Sequence, residues 1–140
     1  MNTVTGTPVA GSYYTELSLG VADHTAGRDN FENGTTSWYD GDPVSALSSL
    51  QQADGEFSDA YAHYLNMETY AVNDSQQKLA GDLETSADDM HHASELFMMS
   101  INASLAGNNT AALAYFKRGQ DFVNDSTDKA NESLLVLPSI

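Results

Sequence analysis

The side chains best suited to chemistry in this chain are its four histidines, its methionines and a few carboxylates at helical spacing. His24 falls on one apolar stripe and Met90 on a second. His91 and His92 follow Met90 directly, and Asp88-x-x-His91 and Asp89-x-x-His92 each set an acid one helical turn before an imidazole. Bundles hold metals or haem with inward imidazole, thioether and carboxylate groups, so His24, Met90 and His91 form a candidate metal site. Successive helical residues point about 100° apart, so only one of His91 and His92 can face a core, and His92 is expected in solvent. A carboxylate-bridged di-metal bundle needs the acid-x-x-His pair on two helices, and here it occurs on one. The absence of cysteine excludes CxxCH haem attachment, disulfides and thiolate metal sites. His63, four residues after Asp59, reads as half of a helix-surface pair.

Arg28 shares the stripe of His24. Antiparallel pairing at residue numbers summing to about 82 sets it opposite Asp54, and a guanidinium taken from water needs a charged partner. An internal Arg28–Asp54 ion pair is the expectation, with an anion-binding site as the alternative. The stretch from Asp29 to Asp40 imitates a calcium loop, with Asp29, Asn33, Gly34 and Asp40 in suitable places, but Phe31 stands where an oxygen ligand is required. The basic and small residues that accompany a phosphotransfer histidine are missing around His91. Serine-nucleophile motifs, phosphate-binding glycine loops and His-rich metalloprotease signatures are absent too, so no catalytic residue and no cofactor are expected.

The elements that must position these groups are helices. Asp42 is a natural N-cap and Pro43 suits the first helical position, where a missing N–H costs nothing. Beyond them Leu47, Leu50, Ala53, Phe57, Ala60, Tyr61, Tyr64 and Leu65 recur at three- and four-residue spacing. A shift of 66 positions lays Gly41 on Gly107, Ala46 on Ala112, Leu47 on Leu113, Leu50 on Phe116, Phe57 on Val123, Leu17 on Leu83 and Phe31 on Phe97. The spacing predicts an all-α, up-down-up-down antiparallel four-helix bundle built as a duplicated helical hairpin. Its helices should span about 12–39, 43–72, 75–106 and 110–134, between a flexible arm at 1–11 and an apolar tail at 135–140. The first carries the stripe Tyr14, Leu17, Val21, His24, Arg28, Phe31 and Trp38 and passes through Asn33-Gly34, although that dipeptide usually marks a turn.

Twenty acidic residues against five basic ones give a formal net charge of -15. Such a surface repels phosphate backbones, which excludes nucleic-acid binding through a basic face. Thirteen aromatic residues and clear periodicity argue against disorder. In composition the whole chain resembles proteins of halophilic archaea, and the resemblance implies a cytoplasm with a high concentration of salt cations. At roughly 1 M salt the Debye length is about 3 Å and carboxylate repulsion is screened. The pattern Gly107-x-x-x-x-Ala112-Leu113-x-x-Phe116 resembles the second helix of a tetratricopeptide repeat, but that family's period of about 34 residues and its first-helix Trp-Leu-Gly-Tyr signature are missing. No signal peptide or membrane span is evident, so membrane insertion is not expected. Six N-x-S/T sequons, at Asn33, Asn73, Asn102, Asn108, Asn124 and Asn131, exceed what composition alone predicts and offer a cell-surface domain as the alternative location. The functional expectation is a non-catalytic structural or protein-interaction module that binds a protein partner or itself. A metal- or small-ligand-binding bundle and a sensory ectodomain are the alternatives.

Overall fold

The computed structural model describes the backbone of residues 7–136 and the side chains of residues 12–133. Four helices, α1 Thr7–Tyr39, α2 Pro43–Thr69, α3 Asp74–Leu105 and α4 Asn109–Val136, make up its secondary structure and pack as an all-α four-helix bundle. The boundaries fall close to those expected, with α1 beginning at Thr7 rather than Ser12 and α2 ending at Thr69. Of the expected tail, 137–140 lie outside the described residues, as do 1–6 of the arm. Among the described residues no helix is long and apolar enough to cross a membrane.

The first and third turns are the same structure in different residues. Gly41 (φ 82°) and Gly107 (φ 83°) adopt the left-handed conformation that ends a helix, where a Cβ would be strained. Gly41 N–H donates to the Trp38 carbonyl (3.1 Å) and Asp42 N–H to the Ser37 carbonyl (2.8 Å); Gly107 and Asn108 do the same to Ser104 (3.0 Å) and Ala103 (2.8 Å). The residue that completes each C-cap then starts the next helix. Asp42 Oδ1 accepts from Ser45 N–H at 3.0 Å and Asn108 Oδ1 from Ala111 N–H at 3.1 Å. Every one of these bonds recurs at an offset of 66. The middle turn is built otherwise: Asn73 Oδ1 caps α3 at Gln76 N–H (2.8 Å), and Gln76 Oε1 reaches back to Val72 N–H (2.9 Å).

Packing within the first hairpin is large side chain into glycine. Leu50, Phe57 and Tyr64 recur every seven residues on α2, alternate with Ala46, Ala53 and Ala60, and are fully buried. Opposite them on α1 stand Gly34, Gly27 and Gly20. A Cβ at these glycines would lie 2.8 Å from Leu50 Cγ, 2.8 Å from Phe57 Cδ1 and 2.5 Å from Tyr64 Cε1, so only glycine admits these side chains at this helix separation. α1 therefore runs unbroken through Asn33-Gly34, as the periodicity predicts, and no calcium loop forms there. These pairs sum to 84, two more than expected, and of the expected stripe Leu17, His24, Phe31 and Trp38 lie on the packed face of α1 beside these glycines, whereas Tyr14, Val21 and Arg28 do not. Tyr13 is buried and donates its hydroxyl to the Gln76 carbonyl (3.0 Å), whereas Tyr14 and Val21 are 47% and 44% exposed.

The second hairpin uses small polar residues. Gly119 receives Phe97, to which a Cβ would come within 2.5 Å. Ser86 and Ser126 each donate to the other's backbone carbonyl (3.1 and 2.9 Å), and Ser100 Oγ donates to the Ala112 carbonyl at 2.6 Å. Hydroxyls satisfied in this way let two backbones approach without orphaned polar atoms.

Candidate binding groove and histidine clusters

α1 packs along α2, α2 along α3 and α3 along α4, but α1 and α4 do not pack on one another, so the fourth seam is open. At the end near the Gly41 and Gly107 turns it is closed over by an aromatic series. Phe31 lies on Phe97 (ring centroids 5.0 Å) and Phe97 stacks on Phe116 (5.2 Å), with Trp38 packed beside them. Farther along, the seam widens into a groove of about 910 Å³. One wall is the unpartnered face of α1, from Leu17 through Val21 and Arg28 to Thr35. The other is α4 from Val123 to Ser133, and Leu79, Leu83, Ser86 and Met90 of α3 contribute the floor.

His24 lies in the α1 wall, 9% exposed, with Nδ1 3.0 Å from the Tyr64 hydroxyl and its ring edge-on to Phe57 (centroids 5.7 Å). Burial, reinforced by the Arg28 guanidinium, pushes its pKa down to about 4, so the ring is neutral at physiological pH. Met90 lines the same groove. His91 does not, because it faces away toward α2 and lies against Asp54, with Ser58 Oγ 3.2 Å from its Nδ1. The residues His24, Met90 and His91 are thus divided between the groove and the α2–α3 seam.

The expected Arg28–Asp54 pair is not formed. Arg28 projects from the groove face of α1, exposed and without a carboxylate within 4 Å among the described residues, whereas Asp54 is on the face of α2 turned to α3 and meets His91. Asp54 is raised above the ordinary carboxylate range by burial, which the neighbouring His91 only partly offsets. His63 bridges to α1 rather than to Asp59, with Nδ1 2.9 Å from Glu16 Oε1 and Nε2 3.5 Å from Asp23 Oδ2. His92, expected in solvent, is instead only half exposed and stacks on Phe122 (5.2 Å, 19°) with Nδ1 2.8 Å from the Asp88 carbonyl oxygen.

Two further acid clusters are built into α3. Glu84 is pushed up to about 7 by burial and by hydrogen bonding with Glu68, and Asp89 to about 7 by burial and its bond with Asp125. In each pair two carboxyls meet across a helix seam, and the charge of one opposes ionisation of the other. Nothing in the sequence spacing marks these pairs, because the partners are 16 and 36 residues apart and meet only through the register between helices. No protein-family model, curated protein or solved structure matches the chain.

Proposed function

We propose that this chain is a non-catalytic interaction module, adapted to a salt-rich cytoplasm, whose α1–α4 groove takes up an amphipathic, net-basic helix from a partner protein. The observation that carries this reading is the open seam: the face of α1 bearing the partly buried Leu17 and the exposed Val21 is not covered by α4, and the groove it borders has a largely apolar floor. Unpartnered apolar surface of this kind marks interaction sites, and a helix laid in a groove is the recognition mode that suits parallel helical walls. From Leu17 to Thr35 the α1 wall is about 27 Å long at 1.5 Å per residue, the length of a helix of about 18 residues.

The charge of -15 favours a basic partner over a second copy, since like-charged rims oppose self-association. At roughly 1 M salt this preference acts through ion pairs in contact, because the Debye length is about 3 Å. Duplication of a helical hairpin accounts for the matched turns at residues 41 and 107 and for a bundle that closes on three seams. A second reading, a small amphiphile with an acid group, is favoured by the unpaired Arg28 on the wall and by a volume in the range of about 300–1,000 Å³ typical of small-ligand sites.

The test is fluorescence anisotropy in molar KCl with 18-residue amphipathic peptides of net positive and net negative charge, alongside a fluorescent medium-chain fatty acid. Val21→Glu, at an exposed groove position, should weaken the basic peptide at least tenfold. Val44→Glu, on the exposed start of α2 outside the groove, should not. Tighter binding of the fatty acid than of either peptide selects the second reading, and binding indifferent to Val21→Glu removes the groove from both.

A further inference from the structure

Asp54 of α2 and His91 and Glu95 of α3 converge at the α2–α3 seam, the one opposite the groove. One carboxylate oxygen from each acid and one imidazole nitrogen lie within 4.8 Å of one another. His91 and Glu95 are an i,i+4 pair, with Nε2 and Oε1 3.7 Å apart. A metal ion bound to both at about 2.1 Å would subtend roughly 120° between them, close to what a four-coordinate ion accepts. Asp54 closes the third side against the same ring. Its Oδ1, shut off from solvent, is the atom that meets His91 Nδ1, while Glu95 lies at Nε2.

The charge around the cluster points the same way. Among the described residues no lysine or arginine lies within 4 Å of Asp54 or Glu95; the ion pairs of Lys78 and Lys129 are with Asp82 and Glu132. Ser58 Oγ adds a neutral oxygen beside the imidazole. We infer that Asp54, His91 and Glu95 form a site for one divalent transition ion of the zinc class, which ties α2, and with it the first hairpin, to α3 of the second.

One imidazole and two carboxylates suit Zn²⁺, Co²⁺ or Ni²⁺ better than Mg²⁺ or Ca²⁺, which prefer all-oxygen sets. His63 supplies the contrast within the molecule. It too lies near two carboxylates, Glu16 at Nδ1 and Asp23 at Nε2, but those three side chains do not bring one ligand atom each to within 4.8 Å of one another, as Asp54, His91 and Glu95 do.

The experiment titrates the full chain, stripped of metal and held in 2 M KCl with excess Mg²⁺ to saturate diffuse carboxylate binding, with Co²⁺, and follows the visible d–d band. Expected are one equivalent bound, displacement by Zn²⁺, and a rise in Tm on addition of Zn²⁺. His91→Gln and Asp54→Asn should each lower the affinity at least about tenfold, the scale seen when a ligand or its immediate support is lost. His63→Gln should leave it unchanged. Melting curves of the metal-free variants confirm that each folds. Absence of a stoichiometric Co²⁺ band, or equal loss in His63→Gln and His91→Gln, overturns the site.

Discussion

The contact between α1 and α2 rests on glycines that a side-chain count ignores, and it can be tested by the sign of two identical substitutions. Gly27→Ala places a Cβ 2.8 Å from both Phe57 Cδ1 and Cε1, more than half an ångström inside van der Waals contact. The ring cannot swing clear, since it is fully buried and stands edge-on to His24. Overpacking of this kind costs about 1–3 kcal/mol, against which alanine gains about 1 kcal/mol of helix propensity over glycine, leaving a net loss of up to about 2 kcal/mol. Gly55→Ala is the mirror case. Its Cβ meets nothing within 4 Å, so the same propensity gain of about 1 kcal/mol is uncompensated and the variant is more stable than the parent. Urea unfolding in molar KCl, followed by circular dichroism, should separate the two stabilities by about 1–3 kcal/mol at constant m-value, or about 4–12 °C in Tm at roughly 4 °C per kcal/mol. If Gly27→Ala stabilises the protein as Gly55→Ala does, the two helices are not in contact at Gly27 and the glycine series has no packing role.

Gly41→Ala and Gly107→Ala should each cost about 1–2 kcal/mol, and equally, because both replace a residue at φ near +82° with open space around it; urea midpoints of the two variants check this. Glu84 holds its proton more tightly folded than unfolded, so its contribution is complete below pH 4.5 and is lost as pH rises toward 7. Screening at this partly exposed site limits the loss to the order of 1 kcal/mol, and Glu84→Gln should outlast the parent in Tm by a margin that widens from pH 4.5 to 7. His24 acts in the opposite sense: its pKa falls from 6.5 to about 4 on folding, so its stabilisation is complete above pH 6.5 and on the order of 3 kcal/mol is lost as pH falls to 4. Proton NMR should find His24 neutral at pH 5, and a ring that titrates near 6.5 would refute its burial.

Much of the architecture was readable because its signals are local. Asp42-Pro43 starts α2 where the cap chemistry says, and the alternation from Ala46 to Tyr64 is the buried face of that helix. The matched turns were visible as Gly41 over Gly107, and their hydrogen bonds recur residue for residue. The contact face of α1 was readable only in part, as Leu17, His24, Phe31 and Trp38, since its members at 20, 27 and 34 have no side chain to count; their signal was glycine at heptad spacing opposite Leu50, Phe57 and Tyr64. A register set two residues too low then put Arg28 opposite Asp54. His91 was recognised as a ligand type, but its partners Asp54 and Glu95 depend on which face of α3 meets α2, and single-helix spacing does not give that. Glu84 with Glu68 and Asp89 with Asp125 lay beyond sequence spacing for the same reason.

The open seam follows from how the other three are closed. Glycine on α1 and serine on α4 draw each helix onto its hairpin partner, and the α2–α3 interface then fixes how the hairpins meet, so α1 and α4 can join only by covering what their remaining faces carry. On α1 that face includes Arg28, and on α4 it includes Thr127 and Asn131. Closure would take the Arg28 guanidinium, and the Asp29 and Glu32 carboxylates that line the groove beside it, from water and face them with neutral hydroxyl and amide groups of α4, and burying ions costs several kcal/mol each. The apolar return is small: full burial of Leu17 and Val21 is worth about 1.5–3 kcal/mol each, and Leu17 is already partly buried. The balance leaves the seam open in the isolated chain. It reverses when an occupant brings both an apolar face for Leu17, Val21 and Met90 and an acidic group for Arg28, so a basic helix that binds here is expected to carry at least one carboxylate at the Arg28 level.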